Sequence, residues 1–216
     1  MSVARHLIFQ AIRSANGTQK PAEKILADSK ALINNSSQLR PGFTEQSNLE
    51  RFIEKATSER VTATVVEVSS LAAVPGEVAI YLEGASLPPV VAIQPRAVLT
   101  KLDWGDILVH HDLSANEPVA VSIADLAIAE TGSVVFQSAP DAPTLMNFLP
   151  LHHVVVVRSD LIQRHLEDVY PFIGSGQNNQ PRNLTIVTGT SGTADIEAKN
   201  IRGAHGPRFM HIILVE

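Results

Sequence analysis

The sequence predicts an α/β protein, an open sheet with substantial parallel pairing entered through a helical lead-in. Short β-branched runs divided by turn residues alternate with helix-like pieces from Val61 onward. Several of those runs, such as Val119 to Ile123 and His153 to Arg158, are nearly all apolar, the pattern of strands covered on both faces. Before Val61 the apolar residues recur at helical spacing instead.

Taken in order, Val3, Leu7, Ile8, Ala11 and Ile12 mark a first helix, and Ile25, Leu26, Leu32 and Ile33 a second, with Gly17 and Pro21 between them. A polar stretch, Asn34 to Thr44, precedes a third amphipathic segment built on Leu49, Phe52 and Ile53. These residues make a helical segment over 1–60 and leave 61–216 as the α/β domain. Its expected strands are Val61 to Val68, Val90 to Ile93, Asp106 to His110, Val119 to Ile123, Leu126 to Ala129, Ser133 to Gln137, His153 to Arg158, Leu184 to Thr188 and Met210 to Val215. Helices are expected at Gly76 to Glu83, Arg96 to Leu102, Asp160 to Tyr170 and Ala194 to Ile201. Gly174 to Pro181 has the composition of a solvated loop.

Composition narrows the function classes. Lys plus Arg number 17 against 22 Asp plus Glu, a net charge of −5, so no global basic field exists to hold a phosphate backbone, and nucleic acid is not an expected partner. Cysteine is absent, which removes disulfides, thiolate zinc sites, a Cys nucleophile and Cys-ligated iron–sulfur clusters from this chain. The longest unbroken aliphatic run, Val154 to Val157, falls far short of the ~20 residues of a membrane helix, and the N-terminus lacks the apolar region of a signal peptide. A cytoplasmic location and no membrane span are expected.

The most informative stretch is Leu184-Thr-Ile-Val-Thr-Gly-Thr-Ser-Gly-Thr-Ala-Asp-Ile-Glu197, which reads as strand, loop, helix. Gly189 and Gly192 allow close backbone approach, Thr188, Thr190, Ser191 and Thr193 offer hydroxyls, and the N–H groups of a following helix would point at an anion. A capped turn is the competing reading. Asp195 and Glu197 would open that helix, where the helix dipole favours carboxylates with or without a chemical role. Glu130, in Ala129-Glu-Thr-Gly132, is an acid at a tight turn between two apolar strands, with Thr131 and Gly132 beside it; it either solvates a surface hairpin or lines a crevice at strand ends. Gly203-Ala-His-Gly-Pro-Arg208 packs an imidazole (His205), a guanidinium (Arg208) and two glycines, Gly203 and Gly206, into one connection, suited to a carboxylate or phosphate or to a plain turn. Adjacent His110-His111 and His152-His153 face opposite sides of any strand, so neither pair chelates one ion, and no metal site is expected. Trp104 is read as a core anchor.

Together, AIAETGSVVF, LPLHHVVVVRSDLI and LTIVTGTSGTADIEAKNIRGAHGPRFMHIILVE resemble the lactate-utilisation protein C family, the LUD-domain proteins. The likeness runs from about Val61 to Glu216 and includes Leu102-Asp-Trp104. It implies a fold like that of the ribose-phosphate isomerase, glucosamine-phosphate isomerase and CoA-transferase group, with Rossmann-like topology. It also implies a part in oxidising L-lactate to pyruvate as one of three proteins, the others looking like iron–sulfur carriers. The family loop usually reads Gly-Pro-Ser and then Arg or Lys before Thr-Ala-Asp-Ile-Glu; here Thr190 and Gly192 stand at the Pro and basic positions.

The resulting expectation is an accessory or substrate-handling subunit of a cytoplasmic lactate-oxidising system that takes a small carboxylate or phosphate ligand and binds no cofactor itself, with iron–sulfur clusters on partner subunits. Glu130, Thr131, Gly132, the 188–193 loop, Asp195, Glu197, His205, Gly206 and Arg208 would surround one crevice. Two alternatives stay open: independent acyl or CoA transfer with Glu130 as nucleophile, on analogy with CoA transferases, and a sensor of a small anionic metabolite.

Overall fold

The computed structural model describes residues 3–17, 20–35, 40–43, 45–173, 180–194 and 200–216. The chain divides into two compact units, Met1–Thr44 and Glu45–Glu216. The first contains α1 (Val3–Ala15) and α2 (Ala22–Asn34), where the apolar spacing places them. Helix α3 (Asn48–Ala56) belongs to the second unit. A reciprocal capping box starts it: Ser47 Oγ accepts from the Glu50 amide while Glu50 Oε2 accepts from the Ser47 amide. Phe52 and Ala56, one helical turn apart, are its fully buried positions.

The second unit is organised by six parallel strands, β1 (Thr64–Val68), β2 (Val90–Ile93), β3 (Leu108–His110), β4 (Val119–Ile123), β7 (His152–Arg158) and β12 (Phe209–Val215), in the order β1-β12-β7-β4-β2-β3. Strands β4 and β7 hold almost nothing but buried residues, as their Val and Ile content requires of strands covered on both faces. On one face α4 (Val74–Gly84) presses Val74, Val78 and Leu82, at i and i+4, onto Val91, Val121, Val154 and Ile213. The single-turn helix α5 (Ala97–Thr100) adds Leu99, whose carbonyl accepts from Trp104 Nε1 at 3.0 Å, so Trp104 is the anchor its setting suggests.

The other face packs on α3 and a second sheet, β8-β5-β6-β9, made of β5 (Leu126–Ile128), β6 (Ser133–Gln137), β8 (Ile162–Gln163) and β9 (Leu184–Val187). Strand β5 follows β4 after two residues, and the bend is pinned: Asp125 Oδ1 accepts from Arg96 Nη1 at 2.8 Å and its Oδ2 from the Gln137 amide. The last pair is an antiparallel ribbon of β10 (Gly192–Ala194) and β11 (Asn200–Arg202).

Two expected helices are corrected. Across Asp160 to Tyr170 the chain forms a 3-10 turn at Ser159–Leu161, the strand β8, and a second 3-10 turn at Leu166–Val169, because Ile162 and Gln163 are drawn into pairing with β5. At Ala194 to Ile201 the described residues are strands, with Thr193 opposite Ile201, two β-branched side chains suited to a ladder. Residues 195–199, and with them Asp195 and Glu197, lie outside the described residues, as does most of the Gly174 to Pro181 stretch.

Candidate functional site

The loops singled out by the sequence gather at the N-terminal edge of the six-stranded sheet. Gly132 and Gly189 serve close packing there. At φ +69° a Cβ on Gly132 would press on the Lys55–Ala56 backbone, and at φ +76° one on Gly189 would overlap the Val61 carbonyl. The neighbouring Thr190 amide donates to that Val61 oxygen, just ahead of β1, and its hydroxyl meets Thr62 Oγ1 at 2.7 Å. The tight approach of two backbones thus seats the 188–191 loop.

Pairing of β6 with β9 brings the Glu130–Gly132 turn beside this loop. A chain of hydroxyls results, Thr131 Oγ1 to Ser133 Oγ at 2.6 Å and Ser133 Oγ to Thr188 Oγ1 at 2.7 Å, with Ser133 buried. Glu130 is mostly covered; its Oε2 accepts from the Leu166 amide at 3.3 Å and stands 3.5 Å from His165 Nδ1.

Further along, the Ser191 amide donates to Pro207 O and the Gly203 amide to Ser191 O, so the 188–191 loop and the 203–208 loop are laced together. Gly206 faces the Ser191 side chain at a distance that leaves little room for a Cβ. Arg208 donates its amide to Leu151 O, ahead of β7, while its guanidinium lies 5.5 Å from the Phe209 ring centre. Gly192 and Thr193 run into the β10–β11 ribbon.

A cleft of about 500 Å³ opens beside these loops, walled by Gly203, Ala204, His205 and Gly206 on one side and by Asn116, Glu117, Pro118 and Phe148 to Leu151 on the other. Glu117 is only 4% exposed; its carboxylate accepts from the Ser114 amide and hydroxyl and lies 3.5 Å from His110 Nε2. The cleft therefore offers an exposed imidazole at His205, a buried acid and glycine-rich backbone, a chemistry for one small polar ligand. A comparable hollow of about 540 Å³ lies between α4 and residues 103–107, but its titratable groups are all acids, Glu83, Asp103 and Asp106.

Sequence reasoning missed a second polar group on the α4 face. Tyr81 Oη is 2.8 Å from His152 Nδ1, the Tyr81 ring stacks on His211 at 4.5 Å, and His211 Nδ1 meets Thr64 Oγ1 at 2.7 Å. Burial holds His152 below the usual imidazole range, brings His211 down to about 4, and raises Tyr81. On the opposite face His153 is buried against Phe136 with its Nε2 2.7 Å from Ser122 Oγ, and burial brings it to about 4. Neighbours in a strand face opposite ways, as expected, yet nothing in the linear pattern tells that Tyr81, 71 residues and five strands away along the chain, meets His152.

These features define the class: an open parallel α/β protein in which the 203–206 loop walls a small polar cleft at the N-terminal sheet edge. Residues 49–215 match the model of the LUD domain, and the chain belongs to that family. The curated relatives include lactate utilization protein C of Deinococcus radiodurans, 34% identical over 110 residues (50% of each chain), and that of an Exiguobacterium species, 27% identical over 119 residues (52% of each). The chain spans about half the length of the curated relatives it matches. Among solved structures, a DUF162 family protein from Deinococcus radiodurans shares the fold, with a TM-score of 0.58 and 24% identity over 81% of this chain and 100% of that one.

Proposed function

We propose that this chain is a substrate-handling subunit of a lactate-oxidising system, working with partner subunits that carry the redox centres. The observation that carries this reading is the match of the α/β unit to several proteins named lactate utilization protein C. The cleft supports it: its size and its exposed His205 imidazole suit a small polar ligand such as a carboxylate. Converting a 2-hydroxy acid to a 2-oxo acid removes two electrons and two protons. With no cysteine in its 216 residues the chain has no thiolate to ligate an iron–sulfur cluster, so the electrons pass to clusters on the partners. Glu130 and His165 set a carboxylate and an imidazole 3.5 Å apart beside the 188–191 loop.

The test is a gentle purification of the tagged chain from its own host grown on L-lactate, followed by mass spectrometry and a visible spectrum. Brown, cysteine-rich partners co-eluting with it are the expected result. A colourless protein eluting alone, from cells in which those partners are expressed, would overturn the reading.

A further inference from the structure

Helices α1 and α2 lie outside the stretch matched by the family model, and neither contains a buried residue. Each nevertheless carries a continuous apolar stripe: Val3, Leu7, Ile8 and Ile12 on α1, and Ile25, Leu26, Leu32 and Ile33 on α2, all between 48% and 78% exposed. Exposed apolar patches beyond a few hundred Å² mark interaction sites, and helices of 13 residues are marginal in water without an apolar partner.

We infer that this stripe is the face on which two copies of the chain associate, the helical unit of one packing against that of the other as a four-helix bundle. Area is the first argument. Eight large aliphatic side chains, at roughly 60 to 120 Å² each, cover about 480 to 960 Å² per copy, a range that spans the ~800 Å² per partner of a standard stable interface. Length is the second, since two helices of 13 residues per copy form four matched rods, the geometry of a symmetric bundle. Charge sets the pairing. α1 carries Arg5 and Arg13 and no acid, so α1 against α1 would repel, whereas α2 carries Glu23 and Asp28 beside Lys24 and Lys30. The two-fold arrangement thus sets α1 of one copy against α2 of the other.

The test is the molar mass of the full chain by light scattering on a sizing column at micromolar concentration. Twice the 23.3 kDa chain mass is expected for the wild type, and the single-chain mass for Leu7→Lys/Leu26→Lys. His6→Lys, on the polar side of α1, keeps the double mass. The fluorescence melt of Trp104, in the second unit, stays unchanged in all three, which separates loss of association from unfolding. A wild type of single-chain mass would overturn the inference, as would a double mass that survives Leu7→Lys/Leu26→Lys. Neither outcome bears on the lactate reading, which concerns the second unit.

Discussion

A backbone oxygen explains one glycine and open space another. Gly189 sits at φ +76° against the Val61 carbonyl, so Gly189→Ala destabilises the fold by more than about 2 kcal/mol, from a left-handed backbone and a steric overlap together. Gly105, at φ +53° with open space where its Cβ would stand, loses about 1 to 2 kcal/mol on the same change. Urea midpoints of the two variants give the comparison. Glu130→Gln retains an acceptor for the Leu166 amide, so its melting temperature stays within about 4 °C of the parent, about 1 kcal/mol for a domain of this size; under the proposed lactate role, with Glu130 in the chemistry, turnover of lactate by the assembly falls on the order of a hundredfold. Equal turnover in the two proteins would remove Glu130 from the chemistry.

The buried imidazoles set a pH dependence. His153 and His211 titrate near 4 in the folded chain and near 6.5 when unfolded, because burial disfavours their charged forms. Above about 6.5 both states are neutral at these positions and nothing changes. As pH falls below that value the unfolded chain takes up protons that the folded one refuses, so stability declines until about pH 4, where the loss saturates. Urea midpoints measured from pH 7.5 to 4 show this decline, and Ser122→Ala/His153→Leu, which removes one imidazole with its hydroxyl partner, makes it shallower.

Among the elements, α3 gives the cleanest test of local sequence logic. Ser47→Ala removes the side-chain half of its capping box and costs about 1 kcal/mol, whereas Phe52→Ala opens the core under the second sheet and costs about 3 to 5 kcal/mol. The strands of the main sheet were legible because Val, Ile and Ala fill them almost without interruption, and periodicity was enough for α1 to α3. Where reading failed, pairing decided. Ile162 and Thr193 sit in segments whose polar and apolar residues suit a helix, and only the presence of β5 beside one and β11 beside the other makes them strands. The site was legible in part for the same reason. Gly, Ser and Thr in 188–192 and His205 announce loops with chemistry, but Gly189 proves to face the Val61 backbone, and the joining of Ser133 to Thr188 or Glu130 to His165 depends on a second sheet that no local pattern encodes.

On the scale of the whole molecule, the order of the six-stranded sheet is its most consequential property. Strand β1 sits at one edge, and its neighbour in that sheet is β12, joined through Thr64 to His211 and onward to Val68 and Val215. The two are separated by about 140 residues of chain, so β1 is synthesised long before the strand it needs. A ribosome that has released only the residues up to Arg208 carries a chain whose β1 has no hydrogen-bonding neighbour and whose Val65 and Val66 have no adjoining strand to shield them. Closure of the sheet must wait for 209–215 to emerge, which makes this a late-committing fold during translation, exposed in the meantime to whatever factors guard nascent chains.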